Sequence, residues 1–267
     1  MDQGDRNVEV FRSLNRALRN NGFQLLVQPI HALNKNKVAQ PFRYYELLVQ
    51  MLGKDGEVFS SDEFVPVAEY FEMMPELDRW VVREAFKHIA LLKPTDKPPL
   101  FAINISGQSL DDEGFCDFVL EELKRTGIDA RVICFEITES VAVNDVSLAS
   151  HFISSLKGQG SRFTLDQFGT GVSSYGYLTF LDVDCLKIAD IYVRDLMSDS
   201  IARNIVESVT QVGHSMKLEI IANGVDDEKA IALLQKMGAD YGQGDAISKP
   251  MLLKDVIASY IGKEAVG

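Results

Sequence analysis

The sequence contains few cysteines and histidines, and their scarcity excludes several kinds of site. Among its 267 residues there are 3 cysteines and 4 histidines. Cys116, Cys134 and Cys185 are odd in number and form no close pair, so we interpret all three as reduced, mostly buried thiols. The histidines fall in predicted loops or helices. Neither a zinc site nor a histidine-based catalytic triad is therefore expected.

Basic residues are also scarce, since 27 Lys and Arg stand against 39 Asp and Glu, which gives a formal net charge of -12. A nucleic-acid polymer is not expected as a partner, because phosphate contacts require clustered Lys and Arg. No apolar run approaches the roughly 20 residues that span a bilayer, and the N-terminus lacks a signal-peptide pattern. We therefore expect a cytoplasmic protein without direct membrane insertion.

The sequence does contain a regular alternation of short β-like runs and longer helical patterns from about Phe23 onward. This alternation predicts an α/β fold, a (β/α)8 TIM-like barrel. Only the polar loop Asn34–Lys37 separates the first run from the approach to the second, so these two strands resemble a hairpin and place one antiparallel strand in the barrel. The predicted strands are Phe23–Ile30, Arg43–Gln50, Leu100–Ile105, Val132–Ile137, Arg162–Asp166, Cys185–Ile188, Glu219–Ala222 and Tyr241–Gln243.

The first 21 residues are predicted to form a leading helix or linker, ahead of a barrel domain at residues 22–262. Phe11, Leu14 and Leu18 recur there at helical spacing. A leading helix of this kind is typical of a barrel that follows another domain, so an upstream signalling domain is an expected partner.

Polar residues recur at or near the ends of the predicted strands. They are Gln28, Glu46, Asn104, Glu136, Asp166, Lys187, Asn223 and Gln243. In a (β/α)8 barrel the C-terminal ends of the strands form one rim, so these side chains should converge on a single cleft. Oxygen ligands without thiolates or imidazoles suit hard divalent cations such as Mg²⁺ or Mn²⁺.

A series of short motifs follows the same order as in one protein family. The motifs are Gln28-Pro29-Ile30, Tyr45-Glu46-Leu47-Leu48, Asn104-Ile105-Ser106, Phe135-Glu136-Ile137-Thr138-Glu139, Phe168-Gly169-Thr170-Gly171, Leu186-Lys187-Ile188, Tyr241-Gly242-Gln243-Gly244 and Lys249-Pro250. Together they resemble the EAL domain family of cyclic di-GMP phosphodiesterases and their degenerate relatives, over about residues 10–262. The resemblance implies an EAL-type barrel from a bacterial signal-transduction protein.

The resemblance further implies a hydrolase that opens one phosphodiester of the second messenger cyclic di-GMP with two divalent ions. The first ion, Mg²⁺ or Mn²⁺, would be held by Glu46, Asn104, Glu136 and Asp166. Lys187 would orient or deprotonate the attacking water, and Glu139 would brace the loop that bears Asp166. The ligand or its water network would be contacted by Gln28, Glu46 and Gln243.

Four positions depart from the family pattern. Gln167 replaces the second aspartate of the family's Asp-Asp-Phe-Gly motif, and Asn223 replaces the first glutamate of its Glu-Gly-Val-Glu motif. Both positions would hold the second ion, and an amide oxygen brings no charge to draw Mg²⁺ from its hydration shell. Gln50 stands where the resemblance implies a ligand-binding arginine, and Ala189 where it implies an aspartate.

Two classes of function follow from this pattern. Gln167, Asn223 and Gln50 favour a degenerate EAL domain that binds cyclic di-GMP as a sensor, with weak or no hydrolysis. The complete first-ion set, with Lys187 and Glu139, favours an active metal-dependent phosphodiesterase that yields the linear dinucleotide. A barrel that only binds other proteins is a third and weaker interpretation. The resemblance also places a dimer contact near the glycine loop, so a homodimer is an expected state.

Overall fold

The structure is a computed structural model that describes residues 3–33, 44–93, 95, 98–171 and 175–264. The predicted loop Asn34–Lys37 and the predicted strand start at Arg43 lie outside these residues. The strands are β1 Phe23–Ala32, β2 Tyr44–Leu52, β3 Val58–Phe59, β4 Leu100–Asn104, β5 Ile133–Thr138, β6 Arg162–Phe168, β7 Cys185–Ile188, β8 Glu219–Ala222, β9 Tyr241–Gly242 and β10 Met251–Leu252.

The helices surround the strands and connect most of them. They are α1 Gln3–Asn20, α2 Ser61–Tyr70, α3 Met74–Ile89, α4 Gly107–Asp111, α5 Phe115–Thr126, α6 Glu139–Asn144, α7 Val146–Lys157, α8 Asp190–Arg194, α9 Ser200–Ser215, α10 Glu228–Met237 and α11 Leu253–Glu264. Short 3₁₀ helices cover Lys54–Gly56, Ala130–Val132, Tyr175–Phe180 and Asp195–Met197.

Eight of the strands close into a barrel, in the order β1, β2, β4, β5, β6, β7, β8, β9 and back to β1. β1 is antiparallel to both of its barrel neighbours, β2 and β9. The other neighbouring pairs in the barrel are parallel. The short strands β3 and β10 are antiparallel additions to β2 and β1. The prediction of a (β/α)8 barrel with one antiparallel strand is confirmed.

The placement of Gln28 at a strand end was wrong, and the direction of β1 explains why. Gln28 was expected to end its strand, but it lies inside β1, which continues to Ala32. Because β1 runs against the other strands, its end at the C-terminal rim is Phe23. Gln28 nevertheless pairs directly with Glu46 of β2. The antiparallel register therefore brings Gln28 to the same level of the barrel as the other polar residues.

The barrel interior has an apolar layer, and a polar layer lies next to it on the side of the C-terminal rim. The apolar layer contains Ile30, Tyr44, Leu100, Ala102, Cys134, Cys185, Ile221 and Tyr241. Side chains two residues apart point to the same face of a strand. Two residues nearer the rim on each strand are Gln28, Glu46, Asn104, Glu136, Lys187, Asn223 and Gln243. Asp166 lies two residues beyond the buried Thr164 on β6. Because β5 continues to Thr138 and β6 to Phe168, Glu136 and Asp166 lie inside these strands rather than at their ends.

The N-terminal helix α1 packs against the side of the barrel through a small core of its own. Val10, Leu14 and Ala17 are buried there with Phe23 of β1 and Met51 of β2. The helix therefore contacts the same two strands that carry Gln28 and Glu46. In the part of the chain that the structure describes, no helix is long and apolar enough to cross a membrane.

The cysteines lie within the barrel and its helices. Cys134 and Cys185 are buried, Cys116 is partly buried, and none of the three forms a disulfide. Burial raises the pKa of the Cys134 thiol to about 12. The thiol of Cys134 is therefore protonated at neutral pH, as expected for an inert buried cysteine.

Candidate functional site

The centre of the polar layer is an ion-pair cluster around Lys187 of β7. The Lys187 ammonium donates a hydrogen bond of 2.7 Å to Glu46 Oε2 and another of 2.7 Å to Glu136 Oε2. The side chains of Lys187 and Glu136 are 1% and 0% exposed. Strands β2, β5 and β7 thus each supply one titratable group to the cluster, and all three groups are shielded from water.

Amide side chains complete the surroundings of Glu46. Asn104 Nδ2 donates to Glu46 Oε1 at 2.7 Å, and Gln243 Nε2 donates to Glu46 Oε2 at 2.6 Å. Gln243 Nε2 also donates to Gln28 Oε1 at 3.1 Å. The network brings four predicted site residues from four different strands or strand ends into direct contact.

The pKa values of the two glutamates that contact Lys187 are shifted in opposite directions. Burial raises the pKa of Glu136 to about 8, and the neighbouring Glu46 and Asp166 carboxylates add to this effect against the attraction of Lys187. For Glu46, burial raises the pKa, but Lys187 and the hydrogen bonds from Asn104 and Gln243 outweigh it and lower the pKa. The two glutamates that share Lys187 therefore differ strongly in acidity.

The carboxylates around Lys187 also shift the pKa of the lysine itself. Burial lowers its pKa, but Asp166, Glu136 and Glu46 outweigh burial and hold the pKa of Lys187 well above its usual value. Asp166 acts on Lys187 through the charge of its carboxylate, although burial raises the pKa of Asp166 itself. Lys187 is consequently a charged hydrogen-bond donor in this arrangement.

The cluster contains buried acceptors that lack a hydrogen bond. Glu136 Oε1 and Gln243 Oε1 are both buried without a partner. A buried acceptor left unpaired costs about 1–3 kcal/mol, more for a charged group, so a cation or a water fits this position. Oxygen donors are also what Mg²⁺ and Mn²⁺ prefer. The unpaired Glu136 Oε1 therefore fits an oxygen ligand of a hard divalent ion, and Glu46, Asn104 and Asp166 carry oxygen donors of the same kind.

The acidic side chains are not arranged as ready-made metal ligands. Across the described residues, no three His, Cys, Asp or Glu side chains are placed to hold an ion as they stand. The Lys187 ammonium lies between Glu46 and Glu136 instead. Ion binding would require the lysine to yield part of its contact with these carboxylates.

The strand that carries Asp166 ends in an irregular backbone. Its pairing with β7 shifts register between Leu165 and Phe168. Gln167 between them has a left-handed φ of 53°, and its N–H donates to Asp166 Oδ1 at 2.7 Å. A left-handed conformation costs a residue other than glycine about 1–2 kcal/mol, and aspartate or asparagine tolerates it better than glutamine. The sequence pattern gave no indication of this conformation.

Glu139, at the start of α6, holds the glycine loop that follows Gln167. Its Oε2 accepts hydrogen bonds from the N–H groups of Gly169 at 2.9 Å and Gly171 at 3.2 Å. Its Oε1 accepts one from the Tyr177 hydroxyl at 2.5 Å. Glu139 is 3% exposed and is bonded to the loop backbone rather than to the ion-pair cluster.

Asn223 follows β8 directly and lies beside a carboxylate that the sequence pattern did not single out. A Cβ atom on the next residue, Gly224, would lie 2.7 Å from Cβ of Asp190. Asp190 comes one position after Ala189, and its charge contributes to raising the pKa of Asp166. Asp190 is also paired with Arg194 at 3.0 Å. Asp190 therefore packs against the residue that follows Asn223, and its charge acts on Asp166.

Gln50 lies apart from the cluster. It is four residues beyond Glu46 on β2, toward the C-terminal rim, and pairs in register with Gln24 of β1. Gln24 Nε2 donates to Gln50 Oε1 at 2.8 Å. The position at which the resemblance implies an arginine is therefore occupied by one half of a neutral amide pair at the rim.

Comparison with known proteins gives consistent results for sequence and structure. The EAL domain family profile matches residues 12–250. The chain is 33% identical over 238 residues to the cyclic di-GMP phosphodiesterase PdeB of Shewanella oneidensis, covering 89% of this chain and 28% of that protein. It is 32% identical over 250 residues to the cyclic di-GMP phosphodiesterase PdeF of Escherichia coli, covering 94% and 33%. The chain thus spans about a third of the length of these relatives.

Solved structures with the same fold include two complexes with cyclic di-GMP. The PaMucR phosphodiesterase complex superimposes with a TM-score of 0.85 at 27% identity, covering 92% of this chain and 99% of that one. The FimX EAL domain from Pseudomonas aeruginosa bound to c-di-GMP gives a TM-score of 0.81 at 25% identity, covering 91% and 96%.

Proposed function

We propose that this chain, which belongs to the EAL domain family, binds cyclic di-GMP as a regulatory module and hydrolyses it weakly or not at all. One observation carries this proposal. The buried cluster around Lys187 is present, whereas Gln167 and Asn223 are neutral amides at positions where the family pattern has carboxylates. In this proposal the Lys187 cluster supports ligand binding through one ion, whereas the carboxylates that would hold a second ion for catalysis are replaced.

The proposal assigns one divalent ion, Mg²⁺ or Mn²⁺, to the cluster. The ion would be held by Glu46, Asn104, Glu136 and Asp166. When bound, an ion of this kind polarises phosphoryl oxygens and lowers the pKa of a bound water from about 15.7 towards about 7. Lys187 orients the cluster through its two carboxylate contacts, and Gln243 and Gln28 present amide groups to the ligand or its waters.

The second ion is where the proposal departs from a full phosphodiesterase. Gln167 and Asn223 provide amide oxygens without charge, so they hold a hydrated dication poorly. Their neutrality also favours an anionic ligand, because each like-charge pair avoided at about 4 Å removes a repulsion of up to about 4 kcal/mol at an effective dielectric of about 20. Loss of these two carboxylates thus harms catalysis more than binding.

An active phosphodiesterase is the second candidate, and two observations favour it. Hydrogen bonds orient Glu46, Asn104, Glu136 and Lys187 toward one another, and the charge of Asp166 acts on Lys187. Asp190 also lies against Gly224, next to Asn223, where it supplies a carboxylate near the altered side of the cleft. Measuring cyclic di-GMP binding and turnover on the same sample separates the candidates. Binding without appreciable turnover supports the regulatory module, and turnover at an ordinary enzymatic rate supports the enzyme.

The assembly around the domain is also part of the proposal. The exposed apolar side chain of Ile201 lines a cavity of about 340 Å³, together with Glu139, Gly169 and other residues. A homodimer formed on this face would place the glycine loop close to a second subunit. We also propose an upstream signalling domain, since the chain spans about a third of relatives that are named as cyclic di-GMP phosphodiesterases. A cytoplasmic location is proposed as well.

A further inference from the structure

A buried carboxylate outside the polar layer holds the turn that follows Asn104. Asp78 lies on α3 and is 5% exposed. Its Oδ2 accepts a hydrogen bond of 2.9 Å from the Ser106 N–H and one of 2.7 Å from the Ser109 hydroxyl. Ser106 comes two residues after Asn104, so Asp78 is bonded to the backbone immediately beyond the end of β4.

The same turn is attached to β5 on its other side. The N–H of Ile105 donates to the backbone carbonyl of Glu136 at 2.9 Å. Ser106 also caps α4, because its Oγ accepts from the Ser109 N–H at 3.2 Å. The residue after Asn104 is thus bonded to β5, and the next residue is bonded to α3. These two attachments leave the Asn104 backbone little freedom to move relative to Glu46 and Glu136.

Glu139 performs the equivalent task after Asp166. Its carboxylate accepts the N–H groups of Gly169 and Gly171, which lie three and five residues beyond Asp166. In both places a buried helix carboxylate accepts backbone N–H groups just after a strand that bears a candidate ligand. The two supports belong to different helices and to different strands, so each one acts on its own ligand.

Burial of the Asp78 carboxyl carries a desolvation cost that an apolar side chain would not have, so its hydrogen bonds are the feature that distinguishes it from a residue that only fills space. Desolvation by burial raises its pKa, and both of its bonding partners are neutral. The nearest cationic neighbour in sequence, Arg79, uses its guanidinium to pair with Asp112 at 2.9 Å. An apolar side chain at position 78 would avoid the desolvation but would leave the Ser106 N–H without its acceptor.

We propose that Asp78 is a positioning residue: by holding Ser106 and Ser109 it fixes the Asn104 amide against Glu46 and so sets the geometry of the divalent-ion site. The role of that geometry in ion binding rests on the proposed function. The positioning itself is a property of the folded protein without any ligand, and it is therefore tested separately.

The experiment compares Asp78→Ala, Asp78→Asn and a matched control, Asp240→Ala. Asp240 is also 5% exposed and also accepts a backbone N–H, that of Ile220 at 2.9 Å, but it precedes β9 at the opposite rim of the barrel. The first measurement, without ligand, is the side-chain amide resonance of Asn104 in ¹⁵N–¹H spectra. The second measurement is Mn²⁺ affinity by calorimetry. Both measurements are made at a temperature at which circular dichroism shows that each variant is folded.

Asp78→Ala should shift or broaden the Asn104 amide resonance and weaken Mn²⁺ binding by about 10-fold or more, the usual effect of removing a support of a metal ligand. Asp78→Asn should restore both properties, because an amide oxygen accepts the same two bonds. Asp240→Ala should leave both near the wild-type values even where it lowers the thermal midpoint. An unchanged Asn104 resonance in Asp78→Ala, or an equal change in Asp240→Ala, would overturn the positioning role.

A milder variant covers the case in which Asp78→Ala does not fold. Ser109→Ala removes one of the two bonds to Asp78 and should move the Asn104 resonance in the same direction by a smaller amount, whereas no movement overturns the proposal. Failure of the proposed function has a different signature. Wild-type protein that binds neither Mn²⁺ nor cyclic di-GMP contradicts the function, while the ligand-free spectra still decide the role of Asp78.

Discussion

Glu46 on β2 and Lys187 on β7 meet at 2.7 Å inside the barrel, although 141 residues separate them in the chain. Both side chains are almost completely shielded, at 9% and 1% exposure. An ion pair of this kind is expensive to break, since removing one partner leaves an uncompensated buried charge. The pair therefore links the stability of the fold to the chemistry of the cleft.

Replacing the lysine tests that link. Lys187→Met should lower the free energy of unfolding by about 3–5 kcal/mol, because Glu46 and Glu136 lose their shared ammonium. Lys157→Met is the control, since Lys157 also pairs with two carboxylates, Asp182 and Asp184, but nearer the surface, and its loss should cost about 1 kcal/mol. Urea denaturation at neutral pH measures both. Equal losses in the two variants would contradict the account of the buried pair.

The acidity of Glu136 predicts a dependence of stability on pH. Burial raises its pKa to about 8 from an ordinary value of 4.5. The folded state therefore holds this proton more tightly than the unfolded state, so the contribution of Glu136 to stability is full below about pH 4.5 and is lost as the pH rises through about 8. Urea denaturation of the metal-free protein should show this decline.

Glu136→Gln is the matched variant for the pH experiment. It removes the titrating group, so the decline in unfolding free energy should become shallower than in the wild type. Added Mn²⁺ should also reduce the decline in the wild type, because the ion takes the place of the proton. Superimposable pH profiles for wild type and Glu136→Gln would show that another group is responsible.

The amide pair at the rim predicts how affinity can be raised. Gln50→Arg should tighten cyclic di-GMP binding about tenfold, because a hydrogen bond to a charged group contributes about 1.5–3 kcal/mol. The gain should shrink as salt concentration rises. Gln50→Met also releases Gln24 from its 2.8 Å bond but adds no charge, so it should not tighten binding. Calorimetry that shows the same change in both variants would contradict a phosphate contact at this position.

The neutral second-ion positions predict a gain of activity. Gln167→Asp combined with Asn223→Glu should raise the turnover of cyclic di-GMP in Mn²⁺, and each change alone should do much less, because one carboxylate does not hold the ion. Aspartate also suits the left-handed φ of 53° at residue 167 better than glutamine does. Adding Asp166→Asn to the double variant should abolish the gain. A double variant as inactive as the single ones would argue against the second-ion account.

The sequence predicted the barrel and the polar layer because both depend on periodicity. Glu46, Asn104, Glu136 and Lys187 each stand two residues beyond an apolar residue on their strand, and strand alternation alone places such residues on one face. The parallel strands then bring these faces to one rim. Closure of the barrel then brings the Lys187 side chain of β7 into contact with Glu46 of β2 across the interior.

Features that depend on pairing or backbone conformation were not predictable in this way. The contact between Gln24 and Gln50 follows from the register of an antiparallel pair, and the left-handed Gln167 follows from a register shift in β6. Asp78 lies on the apolar face of α3, but its spacing does not show which group its carboxylate contacts. Its role became visible only through its bonds to Ser106 and Ser109.

The central claim is that binding survives where efficient hydrolysis does not. Its most direct test is a calorimetric titration of the wild-type protein with cyclic di-GMP in Mn²⁺, with the same sample then assayed for the linear dinucleotide over several hours. The account predicts saturable binding with little or no conversion. Metal-dependent conversion at an ordinary enzymatic rate, about 1 per second or faster, would contradict it.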